Sequence, residues 1–308
     1  MLQNMASIVW RIIDGKPGHE AQTSGLVQAL GDRVELRVFD LSAQTFCASF
    51  FGFTFGRFAP GTSLPKPDFI IGAGHRTHLT VLAAKRAFGG QSIVLMKPSL
   101  PLSLFDLCII PEHDRPRLGA NVLVTRGVLN PVREAKTASA DRGLFLIGGP
   151  SKHHGWDTER ILNQVDGVLA ADEEVSWTLT TSRRTPTECV KGLGALEYPN
   201  LNVVPFEETP KGWVAEHLET CGKVWVSEDS VSMVFEALTA GASVGLLRVP
   251  RLKQRSRVYT AIDFLVENQQ VLWFDESVEL PDANHSKRLA EADRCADFMV
   301  KEYLNAHS

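Results

Sequence analysis

Cysteine is scarce and scattered: Cys47, Cys108, Cys189, Cys221 and Cys295 are odd in number and never spaced as Cys-x-x-Cys. They offer no disulfide framework and fit reduced thiols in a cytoplasmic protein. Long apolar runs are missing too. No stretch reaches the roughly 18 to 20 apolar residues that cross a bilayer. Met1 to Ile13 mixes polar residues into its apolar run, unlike a signal peptide. An excess of one charge is also lacking: the net charge of −4 argues for no nucleic-acid partner. There is no Gly-x-x-x-x-Gly-Lys-Ser/Thr phosphate loop, which discounts an ATPase. Nor is there a His-Glu-x-x-His or similarly specific ligand spacing, so no metal and no bound cofactor is expected. Internal repeats and low-complexity tracts are absent. What remains is an ordinary globular composition, 44% hydrophobic and 22% charged, over 308 residues, enough for two domains of about 150 residues.

The most informative stretch is 223–248. Val224-Trp225-Val226 is a short apolar run suited to a buried parallel strand. Ser227, Asp229 and Ser230 are helix-capping types, and Val231, Val234, Phe235 and Leu238 follow at helical spacing. Gly241 ends that helix and Val244 to Leu247 starts another strand. A helix start dressed with hydroxyls presents free backbone amides and the positive end of the helix dipole, which suits a phosphate. Glu236, about two turns along, is placed to hydrogen-bond a sugar hydroxyl of the same ligand. A purely structural strand–helix–strand unit with a solvated serine-rich cap fits these residues as well.

Taken in order, the chain alternates strands and helices. Strands are expected at Ser7–Ile13, Val34–Phe39, Phe69–Gly72, Ile93–Met96, Leu107–Ile110 and Val122–Val124, with helices from about Glu20 to Leu30 and Thr77 to Phe88. Residues 131–142 have no apolar period and read as an interdomain linker. A second alternating series follows: strand Leu144–Ile147, helix Asp157–Asp172, strand Trp177–Thr181, helix Thr187–Leu196, strand Leu201–Val204, helix Trp213–Leu218, the 223–248 unit, a helix over Ile262–Val266 and strand Val271–Phe274. Leu289, Ala292, Met299 and Tyr303 lie at helical spacing in the tail 286–304. The expected fold is α/β, two Rossmann-like doubly wound domains facing a central cleft. Their bounds are 1–135 and 142–284, with 285–308 a terminal helix packing back on the first.

Several loops at strand ends carry chemistry-bearing residues. Asp14-Gly15-Lys16-Pro17-Gly18-His19 is glycine-rich, and a histidine at a helix start suits a neutral general base, although a capping or packing role fits equally. His75, Arg76 and His78 cluster at another strand end, and Glu112-His113-Asp114 at a third; a polar pocket for an acceptor explains them more simply than a metal. Gly148-Gly149-Pro150-Ser151 repeats the glycine-rich pattern in the second half. Thr180 to Arg184 ends a strand with hydroxyls and two cations, and either Arg183 or Arg184 suits a diphosphate, an exposed basic turn being the alternative. Phe46 to Phe58 contains six phenylalanines and Arg57. It is too short to span a bilayer, and fits either a helix lying on a membrane or gripping a lipid-linked acceptor, or a buried helix–loop covering the sheet edge.

The phrases Asp14-Gly-Lys-Pro-Gly-His19, Gly72-Ala-Gly-His-Arg-Thr-His-Leu79, Met96-Lys-Pro98, Pro111-Glu-His-Asp114, Gly148-Gly-Pro150 and Ser227-Glu-Asp-Ser-Val-Ser-Met233 occur in order over almost the whole chain. Together they resemble the bacterial relatives of the plant mitochondrial-fission (elongated-mitochondria) factor. More distantly the layout resembles the two-domain GT-B glycosyltransferases, above all the N-acetylglucosaminyltransferase that forms the lipid-linked peptidoglycan precursor. That resemblance implies a metal-independent enzyme with a nucleotide-sugar donor and a lipid-linked or envelope glycan acceptor. It aligns His19 with an acceptor-facing histidine, Ser230 with a diphosphate-binding serine and Glu236 with a ribose-binding glutamate. The sequence departs from the pattern at Lys16-Pro17, where small residues stand in the enzyme, and carries acidic Glu228 and Asp229 beside the expected phosphate site.

The reading is therefore a glycosyltransferase with His19 or Asp114 as catalytic base. Gly149, Ser182, Arg183, Ser227, Ser230 and Glu236 would bind the donor, and Lys16, His75, Arg76 and His113 the acceptor. A cytoplasmic location is expected, with peripheral contact at the inner membrane face through 46–58. A non-catalytic scaffold and a UDP-sugar epimerase are the alternatives.

Overall fold

The computed structural model describes residues 6–210, 212–253, 256–275, 280 and 289–304. The chain divides into two compact units, residues 1–131 with 290–308, and 132–289. The expected boundary near 284 and the start of the expected tail helix, 286–288, lie outside the described residues.

The first unit is built on strands β1 (Ser7–Ile13), β2 (Leu36–Ser42), β3 (Phe69–Ala73), β4 (Gln91–Leu95), β5 (Leu107–Pro111) and β6 (Val122–Thr125). They pair in parallel in the order β2-β1-β3-β4-β5-β6. β3 and β5 are buried along their whole length, because a parallel sheet covered on both faces needs continuous apolar runs. One face packs on α1 (Pro17–Gly31) through Leu26, Ala29 and Leu30, and on α9 (Glu291–Met299) through Cys295, Ala296 and Met299. Arg33 fixes α9 by donating to Asp297, at 2.6 Å, and to Asp293, at 3.3 Å. The other face packs on α3 (His78–Phe88), with Trp10, Phe58 and Phe105 filling the layer.

The second unit holds β7 (Ser139–Leu146), β8 (Ser176–Thr180), β9 (Leu201–Val204), β10 (Cys221–Ser227), β11 (Ser243–Leu247) and β12 (Leu272–Trp273), all parallel in the order β12-β11-β10-β7-β8-β9. Helices α4 (Thr158–Ala171) and α5 (Thr187–Gly194) cover one face, through Ile161, Val165, Cys189 and Leu193. Helices α6 (Trp213–Leu218), α7 (Val231–Ala240) and α8 (Arg257–Glu267) follow the later strands. Trp177 lies across from Gly143 and Trp225 across from Gly245 in the strand register. A Cβ on either glycine would come within 2.1 to 2.3 Å of the indole, so each ring fills the space its neighbour leaves.

Three expectations are corrected. α1 begins at Pro17, three residues before the expected Glu20, because proline is favourable in the first helical turn, where its missing N–H costs nothing. Residues 139–142 are not linker: they form the polar start of β7, which pairs Ser139 with Cys221 and Arg142 with Ser176. Backbone pairing there needs no apolar side chain, so hydropathy does not reveal it. The stretch 46–58 is not a buried cover. It forms helix α2 (Phe46–Phe55) with Phe46, Phe50, Phe51 and Phe55 exposed, while Phe58 is buried and Phe53 partly so.

Candidate functional site

In a doubly wound sheet, ligands bind beyond the carboxyl ends of the strands where the strand order reverses direction. In the first unit that point lies between β1 and β3, whose following loops are 14–19 and 74–78. Asp14, its side chain fully buried, accepts from Lys16 N at 3.2 Å, and its other oxygen lies 3.0 Å from His19 Nδ1. A carboxylate only accepts, so His19 Nδ1 is the donor and Nε2 is the ring's basic nitrogen. The early start of α1 sets this geometry, since it brings His19 into the first turn, with His19 N and Glu20 N both donating to Lys16 O.

Gly74 closes the pair from behind. It has φ +80°, and a Cβ there would fall 2.2 Å from His19 Cε1. Gly74→Ala is expected to displace the ring and cost roughly 1–3 kcal/mol for the strained backbone, to be read from urea unfolding. An unchanged His19 imidazole resonance by NMR would contradict that packing. His78, buried at the start of α3, has Nδ1 3.3 Å from Ser99 Oγ. Burial, reinforced by the nearby His75 and His19, pushes it down to about 4, so it is a neutral ring at physiological pH.

His75 and Arg76 are exposed on the same turn, and Lys16 is the N-cap residue of α1. Lys16, His19, His75 and Arg76 therefore share one loop pair. His113 and Asp114 do not: they follow β5, three strands from β1, about 14 Å away at ordinary strand spacing. Lys97 Nζ donates to the Asp114 and Arg115 carbonyls at 3.3 Å and ties that loop to the end of β4.

The second unit has its reversal between β7 and β10. Numbered within the unit, the sheet reads 6-5-4-1-2-3, the dinucleotide-fold order. The loops there are those after β7 (Gly148, Gly149) and after β10 (Glu228 to Ser230), and the loop after the neighbouring β8 supplies Arg184. At their centre is Asp229, whose side chain is fully buried. It accepts from Gly149 N at 3.0 Å, Ser227 Oγ at 2.7 Å, Ser230 Oγ at 3.2 Å and Arg184 Nη2 at 2.8 Å. Ser227 Oγ in turn accepts from Gly148 N at 2.7 Å. Arg184 also donates to the carbonyls of Gly149 and Pro150. A Cβ on Gly148 would lie 2.3 Å from both Asp229 Oδ2 and Ser230 Oγ, so only glycine fits.

Ser230 is the N-cap of α7 but its side chain caps no helix amide. It turns instead to Asp229 and to Arg184, whose Nη2 is 3.4 Å away. Of the two adjacent arginines, Arg184 joins the cluster, while the Arg183 guanidinium sits 5.5 Å over the Phe206 ring. Ser182 is bonded within its own turn, its N donating to Thr185 Oγ1 at 2.9 Å. Glu236, on α7, makes no hydrogen bond or ion pair with a described residue, and desolvation pushes its carboxyl up to about 7. Glu228 turns inward, where Arg251 Nε donates to it at 2.8 Å and Val249 N at 3.2 Å. Among the described residues no group of three or more His, Cys, Asp or Glu is arranged to hold a metal.

Residue type gives Asp14 and Gly74 no role of their own, marks Gly148 and Asp229 only as part of a glycine-rich loop and as a helix-capping type, and leaves Arg184 as the alternative to Arg183. What they share is position: each stands within four residues of a strand's carboxyl end.

Two parallel six-stranded halves of this kind, each with its polar loops at the reversal point, define the Rossmann-like GT-B class. The chain belongs to the mitochondrial fission ELM1 family, whose sequence pattern matches residues 17–303. An uncharacterized protein, RP120, of Rickettsia prowazekii is similar at 23% identity, covering 76% of this chain and 79% of its own. Among solved structures, the UDP co-structure of MnaA from S. aureus has a TM-score of 0.54 at 15% identity, over 97% of each chain. Phytolacca americana UGT2 with UDP-2fluoro-glucose and pterostilbene has 0.51 at 9%, over 99% of this chain and 95% of that one. These likenesses are of fold.

Proposed function

We propose that this chain is a nucleotide-sugar-dependent glycosyltransferase whose second unit binds the donor and whose first unit binds the acceptor. The observation that carries the reading is the reversal point of the second sheet. There α7 starts with its amides uncapped by Ser230, beside Arg184, and carries the unpaired Glu236. Helix amides, dipole and guanidinium suit a diphosphate, and would stabilise it as it leaves. Glu236 would hold a sugar hydroxyl of the nucleotide. Gly149, Ser182, Ser227 and Ser230 would shape the phosphate loops, with Arg183 at their rim. In the first unit, His19 Nε2 would take the proton of an acceptor hydroxyl, with Asp14 holding the ring in the tautomer that leaves that nitrogen basic. Lys16, His75 and Arg76 would contact the acceptor on that loop pair. Asp114, with His113, would serve as base only for an acceptor reaching the β5 loop. The UDP and UDP-2fluoro-glucose held by the two similar structures support a nucleotide co-substrate, and no bound cofactor is invoked. An envelope or lipid-linked glycan is the proposed acceptor, met at the cytoplasmic side of the membrane.

The test is a thermal-shift screen against UDP, GDP, CMP, ADP and their sugar conjugates. A nucleotide at about a hundredfold above its Kd adds about 2.7 kcal/mol, which raises Tm by roughly 5–10 °C; Glu236→Ala should abolish the rise. No shift at millimolar nucleotide would replace this reading with a non-catalytic scaffold. UDP released from a UDP-sugar with no acceptor present would replace it with an epimerase.

Glu236 also predicts a pH effect without ligand. Its folded carboxyl titrates near 7 instead of its ordinary 4.5, so between those values the native state holds a proton that the unfolded state has released. The contribution of Glu236 to stability therefore falls as pH rises through that window. Glu236→Gln is expected to remove that share of the pH dependence and to be roughly 1–3 kcal/mol more stable than wild type at pH 8, while binding nucleotide less tightly. Parallel stability profiles for the two proteins from pH 4.5 to 8 would contradict the desolvated carboxyl.

A further inference from the structure

Helix α2 presents a face that no described residue of its own unit covers. None of its ten residues, Phe46-Cys-Ala-Ser-Phe-Phe-Gly-Phe-Thr-Phe55, is charged. Its inner side uses small residues to lie close on α3: Ser49 Oγ is 2.9 Å from Thr80 Oγ1, and a Cβ on Gly52 would meet the Ala83 Cβ at 3.3 Å. Its outer side exposes Phe46 by 70%, Phe50 by 49%, Phe51 by 60% and Phe55 by 67%. These rings touch one another rather than standing singly. Phe46 stacks on Phe50 at 6.1 Å, Phe51 on Phe55 at 6.2 Å, and Phe50 meets Phe51 edge-on at 6.2 Å. A connected aromatic patch of this kind on a soluble surface marks an interaction site.

Charge selects the partner. From 41 to 67 the chain has no Asp or Glu, although its net charge is −4, and it carries Arg57 and Lys66, both exposed. Arg86 adds a third cation 5.9 Å from the Phe53 ring. The acids that bound the stretch are engaged elsewhere, Asp40 with Arg11 and Asp68 with Ile8 N. We propose that α2 lies on a bilayer surface rich in anionic headgroups, with Phe46, Phe50, Phe51 and Phe55 in the acyl boundary and Arg57, Lys66 and Arg86 at phosphate level. A second copy is a poorer partner: it would offer these cations no opposite charge, since its own stretch from 41 to 67 also lacks Asp and Glu. The inference is independent of the nucleotide site.

The experiment is flotation of the full chain with vesicles of phosphatidylcholine alone and with about a third phosphatidylglycerol. Phe50→Ser/Phe51→Ser and Arg57→Glu/Lys66→Glu are compared with wild type, each checked for an unchanged Tm. Binding to the anionic vesicles is expected to exceed that to neutral ones and to weaken with salt. Loss of two buried rings should reduce it by about a hundredfold, and charge reversal should bring it to the neutral-vesicle level. No flotation of wild type, or flotation equal in the ring variant, overturns the proposal. So does a dimer in sedimentation velocity that the ring variant abolishes, which would give the face to a second copy.

Discussion

Asp229→Ala is expected to destabilise the second unit by about 3–5 kcal/mol, among the largest single-residue effects in the chain. The carboxylate has no solvent exposure and takes four hydrogen bonds, from Gly149 N, Ser227 Oγ, Ser230 Oγ and Arg184. Arg184 is well exposed and would regain water on losing its partner, so that pair contributes little to the loss. Gly149 N and Ser227 Oγ are buried and have no water to turn to, and each unsatisfied donor costs roughly 1–3 kcal/mol. Asp229→Asn should fall between, because its one oxygen cannot serve donors on both sides and its amide N–H₂ meets a donor on the other. Urea unfolding followed by tryptophan fluorescence reads this unit, since Trp156, Trp177, Trp213, Trp225 and Trp273 all lie in it. A loss under about 1 kcal/mol would mean that water replaces the carboxylate and the loop cluster is open. The same variant should lose the nucleotide shift, because the loops after β7, β8 and β10 take their positions from this one group.

Arg251→Ala is expected to cost about 3–5 kcal/mol at pH 8, since it leaves Glu228 as an unpaired buried charge. The Glu228 side chain is 4% exposed, and burial raises its carboxyl above the ordinary range, with Arg251 opposing the rise. Arg251 is itself held by Asp263 at 2.8 Å and stacks 4.7 Å over Tyr259 and 5.6 Å over Trp273. Removing it sends the Glu228 carboxyl higher still. A raised acid binds its proton more tightly folded than unfolded, so the unfolding free energy falls as pH rises past the ordinary glutamate range. The deficit of the variant relative to wild type should therefore shrink between pH 8 and pH 5. Buried His154, with Nε2 3.9 Å from Glu228 and its own titration lowered by burial, penalises acid in both proteins, which is why the difference is the quantity to measure. Glu228→Gln/Arg251→Met should recover most of the loss, because it removes the charge along with its partner and keeps apolar contact with the rings. A deficit that is constant with pH would show that lost packing, not the stranded carboxylate, is responsible.

This ion pair also resolves a feature that looked unfavourable in the sequence. Glu228 and Asp229 stand beside the proposed phosphate loops, where two free carboxylates would repel a diphosphate. Glu228 instead faces the interior and Arg251, and Asp229 is consumed by four donors. Neighbouring positions on a turn point in different directions, and type alone does not say which way each one faces. The same limit separates Arg183 from Arg184. One stacks on Phe206 and the other braces Gly149, and nothing local distinguishes them.

Much else was legible without coordinates. Continuous apolar runs such as Phe69 to Gly72 and Val224 to Val226 declare buried parallel strands, because a strand covered on both faces has no polar side to show. Gly241 ends α7 at φ +93°, as its place after the last apolar helical residue implies. The helix expected from Asp157 is α4, with Asp157 as its cap, accepting from Arg160 N, and Thr158 its first residue. The family is likewise carried by short phrases at strand ends, where the chain has least packing to satisfy. By itself, then, the order of residues determined an α/β chain of two doubly wound halves and the loops worth watching. Strand order was decided only in three dimensions. β3 and β10 each lie far along the chain from the strand beside which they insert, and that long-range pairing is what brings His19 against Gly74 and Asp229 beneath Gly149. The outward turn of the phenylalanines was decided there too: Ser49 and Gly52 fit against α3 more closely than any ring can, which leaves the rings to solvent.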